Sequence, residues 1–190
     1  MRIKSILKDT FILFAVTFVL ALMLSGVKVI TQKAIDEAAN NEKIEAFNSV
    51  MNGLSSFEDI TYYLDPITSG SGARLTEEEE SILRCKDSSD KVIGYILRVS
   101  ARGYASDLNL IVGFDTNAQI LGVAYANKPS ETPGLGMKTT ESTFLDSFIG
   151  HNFENLDSVD TISGATVSSS AFKNAVSLAT QYAKAALKLN

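Results

Sequence analysis

The sequence predicts an α+β domain, an antiparallel sheet flanked by helices, with one N-terminal transmembrane helix. Three observations predict it. Thr10 to Val27 forms an uncharged and almost wholly apolar run. Three β-rich segments follow between residues 92 and 125, joined or bounded by turn residues. A single amphipathic pattern then closes the chain from about Ser168 to Leu187. At 190 residues the chain is long enough for one compact domain with a short appendage.

The apolar run contains Phe11-Ile-Leu-Phe14 and Leu20-Ala-Leu-Met-Leu24. As a helix rising about 1.5 Å per residue it nearly covers a hydrocarbon core of roughly 30 Å. Arg2, Lys4 and Lys8 precede it, whereas Lys28 and Lys33 are soon balanced by Asp36, Glu37 and Glu42. The positive excess lies on the N-terminal side, which keeps the amino end in the cytoplasm and the bulk of the chain outside it. A cleaved signal peptide shares the charged start and apolar core. No A-x-A-like site closes the run, and Val27 stands where a lipoprotein signal needs cysteine, so an uncleaved anchor fits better.

The expected organisation is residues 1–30 as cytoplasmic N-terminus and membrane helix, 31–56 as a helical stalk or packing segment, and 57–190 as the extracytoplasmic domain. Within 31–52, Ala34, Ala38, Ile44, Phe47 and Met51 are loosely spaced for one helix face. Gly70-Ser-Gly72 breaks the chain, and Thr76 with Glu79 reads as a capping box for a short helix. The acidic run Glu77–Glu80 fits a solvated first turn better than a metal site.

The strands are expected at Val92–Val99, Leu108–Phe114 and Ile120–Tyr125, with Asp115–Gln119 as the turn between the last two. Gly94, Gly113 and Gly122 within them suggest bulges or the close approach of another backbone. In the last helix, Ala171, Phe172, Ala175, Val176, Leu178, Ala179, Tyr182, Ala183 and Ala186 mark a wide buried face.

Composition narrows the function. A net charge of −5 without a basic stripe argues against a nucleic-acid partner. Cys85 is the one cysteine and His151 the one histidine, which excludes an internal disulfide and a Cys/His zinc site. Cys85 beside Lys86 fits a packed thiol better than a nucleophile.

Two segments carry chemistry. Asp160-Thr-Ile-Ser-Gly-Ala-Thr166 leads directly into the last helix. Ser163, Gly164 and Ala165 are small enough for close main-chain approach to a ligand. Ser168, Ser169 and Ser170 follow at the helix start, where free N–H groups and the dipole favour a phosphate. Thr166 adds a hydroxyl at the same place; an ordinary Ser/Thr-rich cap would use similar residues. Ser130-Glu-Thr-Pro-Gly-Leu-Gly136 is the second segment, with Pro133 and Gly134 at the central positions of a type II turn. Gly136 adds a permissive backbone site, so successive N–H groups there suit an anion or a ring carbonyl as well as a plain surface turn.

Together, Glu131–Gly136 and Asp160–Thr166 resemble the two motifs of the FMN-binding domain family, ETPGLG and D-x-x-[ST]-G-A-T, in the family's order. Gly94-Tyr95, Arg102-Gly103-Tyr104, the Val112-Gly113 strand and the N-terminal span are similar too, although Ala105-Ser106 stands where relatives often carry further glycine. Within the family the resemblance is greatest to G subunits of Rnf electron-transport complexes, over nearly the whole chain. The resemblance implies FMN bound as a phosphoester to Thr166, added from FAD by a separate flavin transferase. It implies Glu131, Thr132 and Leu135 near the flavin, with Gly134 and Gly136 in the same loop. Ser163, Gly164 and Ala165 would shape the attachment turn. The function it implies is a relay, not a self-contained enzyme, between ferredoxin and NAD, coupled to ion movement. The implied partners are a second flavin-carrying membrane subunit and iron–sulfur membrane subunits. Two other readings stay open: the C subunit of a sodium-translocating NADH:quinone reductase, and a bitopic extracytoplasmic ligand-binding or sensor module without redox work.

Overall fold

The computed structural model describes residues 47–67, 70–76 and 80–189, together with positions 11, 13, 14, 17, 18 and 44. The chain divides into two units, residues 1–43 and 44–190. In the first unit, the expected membrane span lies largely outside the described residues. Its described positions Phe11, Leu13, Phe14, Thr17 and Phe18 are helical and exposed, with the Thr17 hydroxyl donating back to the Leu13 and Phe14 carbonyls at 3.0 and 2.9 Å. Among the described residues no helix is long and apolar enough to cross a membrane.

The second unit is the expected α+β arrangement. Its strands are β1 (Ser56–Asp59), β2 (Arg74–Leu75), β3 (Ile82–Lys86), β4 (Val92–Arg102), β5 (Asp107–Phe114) and β6 (Ile120–Tyr125), and every pairing is antiparallel. The sheet runs β1-β3-β4-β5-β6, with β2 also on β4. The 11 residues of β4 make room for both partners: β3 pairs from Val92 to Leu97 and β2 at Val99 and Ser100. A short helix α1 (Ser142–Asp146) and the long C-terminal helix α2 (Thr166–Ala186) complete the unit.

Alternation along the strands gives the sheet two apolar faces. Tyr95, Leu97, Val99 and Ala101 of β4 join Leu108, Leu110, Val112 and Phe114 of β5 in one core with α2. Ile96, Ile111, Leu83 and Cys85 face the other way, against Phe47, Val50, Met51 and Leu54. All nine positions expected on the inner face of α2 are buried. The helix starts two residues earlier than the apolar pattern indicates, because Thr166 and Val167 are exposed and leave no periodic mark.

The strand glycines have distinct reasons. Gly113 and Gly122 are cross-strand partners. A Cβ on Gly113 would lie 2.5 Å from the Val50 carbonyl oxygen, and one on Gly122 would lie 2.9 Å from Val50 Cα. The pair is a bare patch on which the 47–51 segment sits directly. A Cβ on Gly94 would fall 1.9 Å from the Phe114 carbonyl oxygen. Gly94→Ala therefore forces β4 and β5 apart and is expected to destabilise the domain by about 2–4 kcal/mol in urea unfolding. A loss under about 0.5 kcal/mol would show that the strands move aside freely.

Some expected boundaries differ. Positions 44, 47 and 48 are helical, but turns occupy 49–53 and Ser56 already belongs to β1, so the helical segment stops well short of residue 56. Gly53, at φ 83°, reverses the chain there. The capping-box helix falls on residues 77–79, outside the described residues, and its described flanks Thr76 and Glu80 are bends.

Candidate functional site

The two motifs meet at the start of α2. In the first, Leu135 N–H donates to the Thr132 carbonyl at 3.2 Å, and Gly134 takes φ 73°, the left-handed value of a type II turn's third position. In the second, Ala165 N–H donates to the Ile162 carbonyl at 3.0 Å, and Gly164 takes φ 79°. These two glycine turns face each other closely. A Cβ on Gly164 would touch Leu135 Cδ2 at 3.4 Å.

Between them lies a cavity of about 380 Å³ lined by Tyr104, Thr132, Leu135, Gly136, Gly164, Ala165, Thr166, Val167 and Ser168. Of the residues expected at the site, Thr132, Leu135, Gly136, Gly164, Ala165 and Thr166 thus come together. Ser163 and Gly134 are exposed on the adjoining turns and do not line the cavity. Thr166 is exposed and is the first residue of the 21-residue helix, whose first turn receives no side-chain cap. Its main-chain N–H groups are left for an anion, with the helix dipole favouring one.

Glu131 has a different place from the rest of its loop. It is 5% exposed, and its carboxylate is filled by the chain's own donors. Oε1 accepts from Ala105 N–H at 3.1 Å and Ser106 N–H at 3.0 Å, while Oε2 accepts from the Ser168 hydroxyl at 2.7 Å. One carboxylate thereby ties the ETPGLG loop to the β4–β5 turn and to the first turn of α2. Burial pushes its pKa up, but the hydrogen bonds from Ser168, Ser106 and Ala105 outweigh that and hold it below the ordinary carboxylate range. Gly103 and Gly136 are small for this reason, since a Cβ on either would lie 2.6 Å from a Glu131 oxygen. The expectation of a permissive backbone at Gly136 is corrected accordingly. Its φ is not positive, and the need there is space for the carboxylate.

The serines and loop amides are also largely committed inward. The Ser169 hydroxyl donates to the Ala165 carbonyl at 2.9 Å and accepts from Ile162 N–H at 3.0 Å. Both Leu135 and Met137 N–H groups donate to the Thr132 carbonyl. Ser168, Ser169 and these amides are therefore occupied within the chain, while among the described residues the Thr166 hydroxyl, on an exposed residue, has no such tie. Below the loop, the Thr139 hydroxyl donates to the Gly136 carbonyl at 2.7 Å, so Tyr125 is the donor in its 2.7 Å contact with Thr139. Burial pushes the Tyr125 phenol up to about 12, so it keeps that proton across the neutral range.

A second cavity of about 460 Å³ takes the beginning of the later motif, Asp160, Thr161 and Ile162, beside Lys138, Glu141 and His151. The smaller cavity is the better candidate because it holds the free hydroxyl, the uncapped helix start and residues from both glycine turns. Cys85 is fully buried, and burial raises its thiol to about 12, which leaves it a protonated core residue. In the sequence, Tyr104 stands out only as part of the Arg102-Gly103-Tyr104 strand signature. Its exposure in the cavity depends on the β4–β5 turn, which no local pattern discloses.

Residues 103–181 match the FMN-binding domain family, a range that contains both motifs and every cavity-lining residue. Along its length the chain is similar to the G subunit of the ion-translocating oxidoreductase complex of Methanosarcina acetivorans, at 26% identity over 96% of each chain. It is also similar to the G subunit of the Na(+)-translocating ferredoxin:NAD(+) oxidoreductase complex of Acetobacterium woodii, at 26% identity over 94% of this chain and 91% of that one. The fold resembles the crystal structure of Shewanella oneidensis NqrC, with TM-score 0.52 and 18% identity over 75% of this chain and 73% of that one.

Proposed function

We propose that this chain, with its FMN-binding domain and its likeness to the G subunits of two such complexes, is the electron-relay subunit of an Rnf-type ferredoxin:NAD oxidoreductase. In this reading it carries FMN as a phosphoester on Thr166. The observation that carries the reading is the exposed Thr166 hydroxyl at the uncapped start of α2, in a cavity shared with the ETPGLG loop. The fit to the group is chemical. The helix start suits the phosphate, the glycine turns admit it closely, and Tyr104, Leu135 and Val167 offer apolar surface to an aromatic ring.

Bound FMN accepts two electrons or passes them singly, which links one-electron centres. The chain's own residues hold, orient and shield that group. No His, Asp, Glu or Lys is among the described residues lining the cavity, so no side chain there activates the Thr166 hydroxyl. In this reading attachment falls to a separate flavin transferase, as the family resemblance implies. The Thr166 oxygen bonds to the FMN phosphorus of FAD, the pyrophosphate bond breaks, AMP leaves, and the hydroxyl proton goes to the transferase's base.

The partners in this reading are a second flavin-carrying membrane subunit and iron–sulfur membrane subunits. The run Thr10–Val27 anchors the chain in the cell membrane, with the amino end cytoplasmic and the domain outside. The test is co-expression with a flavin transferase, followed by a denaturing gel read under blue light. A fluorescent band at the 20.5 kDa chain is expected, and inside-out vesicles of the same cells should protect the domain from added protease. A dark band would sink the covalent reading, and digestion in such vesicles would reverse the orientation.

A further inference from the structure

We propose that Tyr104 is the stacking platform for the isoalloxazine ring of the flavin carried on Thr166, an inference that rests on the reading above. Tyr104 is 69% exposed, Val167 56% and Leu135 45%, and all three line the cavity that holds Thr166. Single exposed apolar side chains need no explanation; three around one candidate acceptor form a patch with a use.

The exposure of Tyr104 is imposed by the turn that carries it. Gly103 N–H donates to the Ser106 carbonyl at 2.9 Å, closing the β4–β5 connection. The Ala105 and Ser106 N–H groups point inward at the Glu131 carboxylate, and Gly103 has no room for a side chain against it. The turn's base is tied by Asp107, which takes Arg74 at 2.9 Å and Arg102 at 3.3 Å. With its neighbours committed inward or to the base, Tyr104 is the large side chain presented to the cavity. An aromatic face offered to water beside a tethered aromatic ring has a natural occupant, since offset or tilted ring pairs add to the burial of their area. Stacking there covers one face of the ring and leaves the other for a neighbouring protein of the complex.

The test uses the full chain, flavinylated by co-expression with a flavin transferase, as wild type, Tyr104→Leu and Tyr104→Phe. Emission per flavin is measured in the folded protein and again after denaturation. A stacked phenol quenches an excited flavin by electron donation, so the folded wild type should emit several-fold less than its denatured form. Tyr104→Leu should remove most of that quenching at equal in-gel band intensity. Tyr104→Phe, which keeps the ring but donates electrons poorly, should fall between them. If Tyr104→Leu takes up no flavin, Tyr104→Phe decides: wild-type-like quenching in it overturns the proposal. Equal emission per flavin in wild type and Tyr104→Leu, with equal bands, places the ring elsewhere and also overturns it. A dark band in the wild type instead removes the attachment reading, and this inference with it.

Discussion

Thr166→Ala is expected to lose the fluorescent gel band to below about one-hundredth of wild type while the domain keeps its stability. The proposed phosphoester needs an oxygen at that position, and the neighbouring hydroxyls are poor substitutes. Ser168 is buried with its proton on Glu131, and Ser169 is buried against Ala165. Thr166 is exposed, caps no N–H group and begins a helix, where alanine is a good residue, so its loss should change stability by under about 0.5 kcal/mol. In-gel fluorescence and a circular-dichroism melt read the two effects separately. A band of unchanged intensity would move the acceptor, with Thr132 and Ser163 the nearest exchanges to try.

A large stability effect is also expected at Glu131. Glu131→Ala leaves the Ala105, Ser106 and Ser168 donors without their acceptor at a site only 5% exposed, together with a void between Gly103 and Gly136. Losing these contacts costs about 3 kcal/mol. Glu131→Gln keeps the volume but replaces one accepting oxygen by a donor and removes the charge, for about 1–2 kcal/mol. The wild-type advantage over Glu131→Gln also has a defined pH dependence. The folded pKa lies below the unfolded value of about 4.3, so the unfolded chain binds more protons between the two. The carboxylate's contribution is therefore complete above about pH 4.3 and disappears as the pH falls through the folded value. Urea unfolding of both proteins from neutral pH into acid should show the gap closing in acid. A gap of constant size would mean that the charge contributes nothing.

How much of this was legible depends on how local each feature is. The β5–β6 hairpin reads directly because alternation and turn chemistry are short-range, and Ile120–Tyr125 is found where it was expected. By contrast, β1 and β2 are 4 and 2 residues long, too short to establish a period, and exist because β3 and β4 offer them edges. Gly113 and Gly122 signalled close approach, but that Val50 is what approaches depends on a segment distant in the chain. The Pro133-Gly134 turn was correct in kind because a left-handed φ is a single-residue requirement.

At the site, sequence by itself supplied the candidate acceptor of the proposed phosphoester. Thr166, the small residues before it and the apolar helix after it are contiguous, and their meaning survives without knowledge of what lies across from them. It also paired that segment with the ETPGLG loop by resemblance. Only the tertiary structure decided how the residues divide their labour. Glu131, expected near the flavin, is in addition the buried carboxylate that holds three segments in place, and Ser168 is one of its donors. Tyr104, read as part of a strand signature, faces the cavity. The physical reason is that burial and hydrogen-bond partnership are properties of pairs distant in sequence. Glu131 and Ser168 stand 37 residues apart and Glu131 and Ser106 stand 25 apart, so nothing in either segment alone records that the carboxylate is already satisfied.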